Sequence, residues 1–116
     1  MNIYTCQIDL KQETKALAFA NALAAWMNHL QSAKVIQSWR LSRRKLNLAS
    51  ERFRDFMLEV EVEDLTQLDE AFRLSGRQDD EVAALHGAVH VLIDHADFAL
   101  YRPFPDPERS ERMALL

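Results

Sequence analysis

Arg40 is the residue whose charge and neighbours point most directly to binding chemistry. It lies in a run of alternating polar and apolar residues, and a second such run carries Glu59 and Glu61. A guanidinium held between carboxylates is fixed in orientation and can bind the enolate, phenolate or carboxylate of a small ligand. Tyr101 can add a hydroxyl. The alternative is an exposed salt bridge between two strands, which stabilises a protein by less than about 1 kcal/mol.

Two histidines are the next candidates. His86 and His90 are four residues apart and would share one face of a helix, as two metal ligands do. His86 is not followed by the glutamate of the metalloprotease pattern, and a third ligand would have to come from elsewhere in the fold. We therefore expect neither a metal nor a cofactor. We interpret the pair as two partly exposed histidines of a helix.

The composition indicates one globular domain. The 116 residues, 48% of them hydrophobic and 28% charged, suffice for a single core. A formal net charge of −4 argues against general binding to nucleic-acid phosphates. The single cysteine, Cys6, excludes an intrachain disulfide and fits a reducing compartment. With no signal-like start and no apolar run of membrane length, we expect a cytoplasmic protein that binds neither nucleic acid nor membrane.

Hydrophobic periodicity assigns these residues to a few strands and helices. Alternating apolar and polar residues predict four strands, and apolar residues at helical spacing predict three helices. Asp64 is the expected N-cap of the second helix. The strands are expected at residues 2–10, 35–46, 52–62 and 96–102, and the helices at 12–31, at 64–76 and from 79 onward.

The second and third strands are expected to form a hairpin whose register follows from its side chains. A turn at residues 47–51 pairs positions whose numbers add to about 99, which places Arg40 opposite Glu59. A slip of one residue would set apolar side chains against charged ones. The predicted register instead sets apolar residues against each other, Trp39 against Val60 and Leu41 against Leu58.

The element order predicts an α+β fold of βαββαβ type. Right-handed crossovers put every helix on one face of a four-stranded antiparallel sheet and leave the other face uncovered. Three segments, DFMLEVEVEDLTQLDEAF, DDEVAALHGAVHVLI and ADFALYRPF, resemble the dimeric α+β barrel superfamily of ferredoxin-like folds. The resemblance covers residues 1–104, and residues 105–116 are expected to form an extended tail.

The resemblance implies a homodimer in which two sheets meet across their uncovered faces and leave a cleft. Barrels of this kind include cofactor-free monooxygenases and polyketide cyclases, in which a histidine and a tyrosine often act together. His95, at the junction of helix and strand, is accordingly a candidate acid or base beside Tyr101 and Arg40. The residues expected to bind ligand in the cleft are Gln7, Arg40, Met57, Glu59, Glu61 and Tyr101.

Two functions remain open. The first is a homodimer that binds a small aromatic or enolisable molecule and catalyses its oxidation, cyclisation or isomerisation without a cofactor. The second is a non-catalytic ligand sensor or assembly module. An enzyme should enclose a void reached by Arg40, Tyr101 or a histidine, whereas an assembly module should fill that space with side chains.

Overall fold

The computed structural model describes residues 1–77 and 79–105. They form a four-stranded antiparallel sheet with three α-helices. The strand order in the sheet is β2-β3-β1-β4. The strands are β1 (Asn2–Leu10), β2 (Ser38–Arg43), β3 (Phe56–Val62) and β4 (Ile93–Tyr101). The helices are α1 (Ala16–Ser32), which follows a 3₁₀ turn (Glu13–Lys15), α2 (Leu65–Ser75) and α3 (Asp80–His90). The predicted ferredoxin-like fold is confirmed.

The hydrophobic core lies between the helices and one face of the sheet. Phe19 and Leu23 of α1 pack there with Val62 of β3, and each has at most 2% of its surface exposed. Along β3 the exposure alternates, with Leu58 buried and the preceding Met57 37% exposed. Because successive strand residues point to opposite faces, this alternation separates the helix side of the sheet from a helix-free face.

The predicted hairpin register is confirmed. Arg40 pairs with Glu59, and the apolar pairs on either side of them are also as predicted. The two charged residues therefore lie on the helix-free face, while Trp39 and Val60 lie on the helix side. This agreement arises because a register slip would have exposed the apolar residues of both strands.

The β3 to α2 junction is held by a capping aspartate and a buried glutamine. Asp64 is the N-cap of α2, and its Oδ1 accepts a hydrogen bond of 2.8 Å from the backbone N–H of Gln67. Gln67 is 9% exposed, and its Oε1 accepts from the Glu63 N–H at 2.7 Å. Its Nε2 donates to the Lys34 carbonyl at 3.1 Å. The amide thus joins the start of α2 to the turn before β2.

The predicted bounds of the second strand are wrong. β2 covers Ser38–Arg43, whereas residues 35–46 were expected to be extended. Lys34 before the strand has φ of 62°, and Leu46 and Asn47 beyond it have φ of 56° and 53°. Left-handed Leu46 turns the chain out of the extended conformation before the predicted end of the strand. At the start, the Val35 N–H bonds to the Leu30 carbonyl of α1 at 3.2 Å, so this residue still belongs to the helix end.

The last strand also differs from its prediction. β4 begins at Ile93, which pairs with Leu10 beside a bulge, and not at residue 96. Phe98 and Leu100 lie on the helix side as expected, but they are 62% and 48% exposed. The expectation that helices cover them is wrong, because β4 is an edge strand beyond the reach of the helices.

The described chain ends shortly after β4. Arg102 Nε donates to Asn2 Oδ1 at 2.8 Å and joins the end of β4 to the start of β1. Apart from Pro105, the tail predicted for residues 105–116 lies outside the described residues. No helix within the described ranges is both long enough and apolar enough to span a bilayer.

Candidate functional site

Every residue predicted for catalysis or ligand binding lies on a strand and belongs to the helix-free face. The pairing aligns Arg40, Glu59, Thr5 and Ala99 in one row across the four strands. Partners in an antiparallel pair share a face, so the neighbouring rows follow from the same register. The predicted site residues on this face are Gln7, Arg40, Met57, Glu59, Glu61, His95 and Tyr101.

Arg40 forms the predicted ion pair but lies in an open position. Its Nη2 and Nε donate to Glu59 Oε1 at 2.8 and 3.1 Å. The Arg40 side chain is 71% exposed and that of Glu59 22%. An ion pair with so much solvent around its cation is strongly screened. In a single protomer this pair is a surface salt bridge.

His95 and Tyr101 share the helix-free face but lie far apart on it. They are six residues apart on β4, which is roughly 20 Å along an extended strand. His95 is 62% exposed, and its Nε2 lies 3.6 Å from Asp94 Oδ2. Tyr101 is 63% exposed. Within one protomer the two side chains do not meet at one small ligand.

A shallow groove of about 400 Å³ runs along the helix-free face. Of the predicted ligand-binding residues, Gln7, Met57, Glu59 and Tyr101 line it, whereas Arg40 and Glu61 do not. The loop between β2 and β3 adds two lining residues that the sequence did not indicate, Arg52 and Phe53.

Arg54 organises one end of this face, a role that the sequence alone did not indicate. Its Nη1 lies 2.9 Å from Asp9 Oδ2 and its Nε 2.7 Å from Asp97 Oδ2. Its backbone N–H donates to Gln7 Oε1 at 2.9 Å. Burial opposes ionisation of Asp9, yet hydrogen bonds from the Asp55 N–H and from Arg54 hold its pKa below the usual value. Because Gln7 accepts the Arg54 N–H, its side chain holds the loop between β2 and β3 within one protomer.

An apolar cavity of about 320 Å³ lies on the helix side, between the three helices and the sheet. Its walls include Trp26 and Met27 of α1, Leu58 of β3 and Ala71 of α2. The cavity is partly open, and Phe72 and Phe98, both more than half exposed, line it as well. Small-molecule sites are typically concave, mostly apolar and equipped with few polar groups.

His86 and His90 supply polar atoms to this cavity. Their rings lie 4.3 Å apart at 89°, and His86 stacks on Trp26 at 5.1 Å. Burial and the nearby His90 lower the pKa of His86, which favours its neutral form. The sequence marked both residues as weak metal candidates and did not indicate that they border a cavity.

The surroundings of the histidine pair provide no third metal ligand in the described part of the chain. No group of three or more histidine, cysteine, aspartate or glutamate residues suited to a metal is present there. His29 stacks on Trp26 at 6.0 Å, and its Nδ1 lies 3.7 Å from Glu81. Without a third ligand, the pair is better suited to hydrogen bonding than to holding a metal.

Tyr4 and Cys6 of β1 also line the cavity. Burial, helped by the neighbouring Cys6, raises the pKa of Tyr4 to about 12. Burial likewise raises the pKa of the Cys6 thiol to about 12, although a hydrogen bond with Tyr4 opposes this. Both groups are therefore neutral near pH 7, and the thiol form of Cys6 is a weak nucleophile. The Tyr4 ring stacks on Phe98 at 5.8 Å and meets the edge of Phe72 at 5.5 Å.

Comparison with solved structures supports the fold. A dabb family protein with a ferredoxin-like fold from Mesorhizobium loti has a TM-score of 0.64 at 14% identity, with 89% of this chain and 96% of that chain covered. A dimeric ferredoxin-like protein of unknown function from Thermobifida fusca has a TM-score of 0.59 at 10% identity, covering 88% and 90%. An antibiotic biosynthesis monooxygenase has a TM-score of 0.61 at 12% identity, covering 90% and 100%.

These likenesses confirm the predicted ferredoxin-like fold. At such low identity they carry no residue roles. No curated protein matches the chain. The model of DUF6614, a family of unknown function, matches residues 1–116. The chain belongs to this family.

Proposed function

We propose that the protein is a homodimer joined through the helix-free faces of its two sheets. The face carries apolar area, notably from Met57 and Tyr101, between charged pairs that are already satisfied within the chain. The structural relative from Thermobifida fusca is described as dimeric. A two-fold contact would cover the face with its own copy and enclose the groove. The single cysteine, Cys6, is buried and has no second cysteine in its chain to pair with, which suits the cytoplasm.

We further propose that each protomer binds a small organic molecule in the helix-side cavity. The observation that carries this proposal is the apolar void bordered by a pair of histidines. The sequence led us to expect, for an enzyme, a void reached by Arg40, Tyr101 or a histidine in the cleft between two sheets. The cavity found here lies on the helix side of the sheet, and histidines reach it but Arg40 and Tyr101 do not.

The lining favours a ligand with an apolar, aromatic body and one weakly acidic hydroxyl. The rings of Trp26, Phe72 and Phe98 offer stacking surfaces, and a neutral His86 can accept a hydrogen bond or a proton. Phenols and enols meet both requirements. Cofactor-free cyclisation, isomerisation, or oxidation by dissolved dioxygen would begin when His86 removes the hydroxyl proton of the ligand, whereas a sensor would bind the ligand without altering it.

Ligand binding can be measured by the fluorescence of Trp26. The chain has two tryptophans, and only Trp26 lines the cavity. In a Trp39→Phe background Trp26 is therefore the one tryptophan that fluoresces. Titration with naphthol should quench this fluorescence to saturation. Ala96→Phe adds a phenyl ring to the cavity lining and should abolish saturable quenching, and Ser75→Leu is a second obstruction. Linear, unsaturable quenching in the unobstructed protein would refute the cavity as a binding site.

A matched substitution on the same strand tests the dimer separately. Ala99 lies three residues from Ala96 on β4 but lines the helix-free groove. Ala99→Glu brings a charge to the proposed interface and should yield monomers in sedimentation velocity, with naphthol binding retained. Ala96→Phe should leave the dimer intact. A monomeric parent chain would refute the dimer and leave the ligand proposal standing.

Arg40→Ala decides between the two faces as the ligand site. Binding of naphthol in the helix-side cavity should not change, because Arg40 lies on the opposite face of the sheet. Weaker binding after this substitution would move the site to the helix-free face, where the sequence first placed it. Mass spectrometry of naphthol incubated with the protein in air then separates an enzyme, which alters the probe, from a sensor, which returns it unchanged.

A further inference from the structure

The loop between β2 and β3, residues 44–55, displays apolar side chains that nothing in the described chain covers. Leu46 is 85% exposed, Leu48 78% and Phe53 52%. Single exposed apolar residues are common on protein surfaces, but three within eight residues form a patch. Patches of this kind mark interaction sites. The loop is therefore suited to contact a partner that the described residues do not provide.

This loop is held in a defined shape. The Arg44 N–H donates to the Asp55 carbonyl at 2.7 Å, and Arg44 Nη1 donates to the Phe53 carbonyl at 3.3 Å. At the tip, Leu46 and Asn47 have positive φ, and the Leu48 N–H bonds to the Lys45 carbonyl at 2.9 Å. These bonds keep the two leucines directed outward before any partner binds.

The loop also borders the helix-free face. Phe53 lines the groove beside Met57 and Tyr101. Leu48 and Phe53 share a second depression, of about 240 Å³, with Gln7 and Met57. A molecule that covers the helix-free face therefore meets these loop side chains as well.

The charge of the loop is opposite to that of the rest of the chain. Residues 44–55 contain four basic and two acidic residues, a net charge of +2, so the remaining residues carry −6. Lys45 and Arg52 make no ion pair within the described residues and are exposed. A second copy of the chain thus carries an excess of carboxylates, with which the basic side chains of this loop can pair.

We infer that the β2–β3 loop of each protomer packs onto the second copy, with Leu46, Leu48 and Phe53 buried there and Lys45 and Arg52 paired with its carboxylates. This inference rests on the proposed homodimer. Two-fold symmetry makes both loops reach across at once, so the contact is formed twice in each dimer. The loop would then enclose the groove from the side that the sheets leave open.

The test compares exposed leucines on opposite sides of the molecule. The double substitution Leu46→Ser with Leu48→Ser removes apolar area that is solvent-exposed in the protomer, so the fold should persist. It should raise the dimer dissociation constant by at least about ten-fold in sedimentation equilibrium. Leu17→Ser is the matched control, because Leu17 is 82% exposed on α1 and should change the constant by less than about two-fold.

Charge provides an independent measurement. Lys45→Glu with Arg52→Glu should weaken the dimer and remove part of its dependence on ionic strength. A dimer unchanged by both double substitutions would refute the loop contact while the homodimer itself stands. A parent chain that is monomeric would refute both. Co-sedimentation with phosphatidylcholine and phosphatidylserine vesicles that is lost with Leu46→Ser and Leu48→Ser, while the dimer is unchanged, would assign the loop to a membrane surface instead.

Discussion

The two faces of the sheet carry different kinds of polar residue. On the helix-free face, charged side chains meet charges of opposite sign and remain in contact with solvent, as Arg40 does with Glu59 and Arg54 with Asp97. On the helix side, His86 and Tyr4 have pKa values that favour the uncharged form. The open face is thus the one that we propose as the dimer interface, and the covered face the one that we propose as the ligand site.

The difference teaches that enclosure, more than charge, identifies the candidate site. Interactions between charges weaken in water, so the conspicuous residues of the open face do little in a single protomer. Imidazoles in an apolar wall interact more strongly with whatever enters, because water screens them less. The cavity exists because the helices stop short of β4, which leaves Phe98 at its edge.

The largest expected effect comes from neighbouring residues of β3. Leu58→Ala removes a side chain that is 5% exposed and should lower the free energy of unfolding by about 2–5 kcal/mol. Glu59→Ala, one residue later, should lower it by less than about 1 kcal/mol, because its partner Arg40 is largely solvated. Urea denaturation in the Ala99→Glu background measures both without a contribution from dimerisation. Equal losses would contradict the assignment of the two faces.

An intermediate effect is expected at Gln67, a polar side chain buried on the helix side. Gln67→Leu keeps the volume but leaves the Glu63 N–H and the Lys34 carbonyl without their partner. Such a loss costs about 1–3 kcal/mol of stability. Gln31→Ala, which removes an exposed bond to the Gln37 carbonyl, should change stability by less than about 0.5 kcal/mol. Thermal and urea unfolding compare the two variants, and similar values would show that Gln67 is effectively solvated.

The smallest effect is a dependence of stability on pH. The pKa of His86 is lowered in the folded state, so below its unfolded value of 6.5 the unfolded chain binds more protons. Stability should therefore be full above pH 6.5 and decline as the pH falls toward the folded pKa. His86→Phe retains a ring against Trp26 and should flatten this slope.

A second substitution separates the pH dependence due to His86 from that due to a carboxylate. The pKa of Asp9 is lowered from 3.8, so Asp9 contributes stability above that value and loses it only at lower pH. Asp9→Asn should therefore leave the slope just below pH 6.5 unchanged. His90 and Trp26 lie against His86. If stability still falls below pH 6.5 in His86→Phe, another group causes the pH dependence.

Local pattern predicted most of the fold. Three local predictions are confirmed: the alternation in β3, the N-cap at Asp64 and the pairing of Arg40 with Glu59. Each depends only on residues that are close in the chain or face each other in one hairpin. The strand ends were mispredicted where left-handed residues such as Leu46 and Asn47 interrupt the chain, since leucine rarely adopts that conformation.

The site was less predictable than the fold. His86 and His90 were recognised as neighbours on a helix, but their cavity is built from three helices and a sheet that only packing brings together. The Arg54 network joins residues of the β2–β3 loop to β1 and β4, and no short-range pattern links Asp9 with Asp97. Contacts between distant segments have no periodic signature in a single sequence.

The sequence by itself determined which side chains share a face, because strand and helix periods depend only on local geometry. It thereby determined the α+β order, the hairpin register and the one-sided sheet. Only the tertiary structure decided which face encloses space, since a void depends on how far each helix extends over the sheet. That extent reflects the packing of distant residues, and it placed the histidines, and not the arginine, at the cavity.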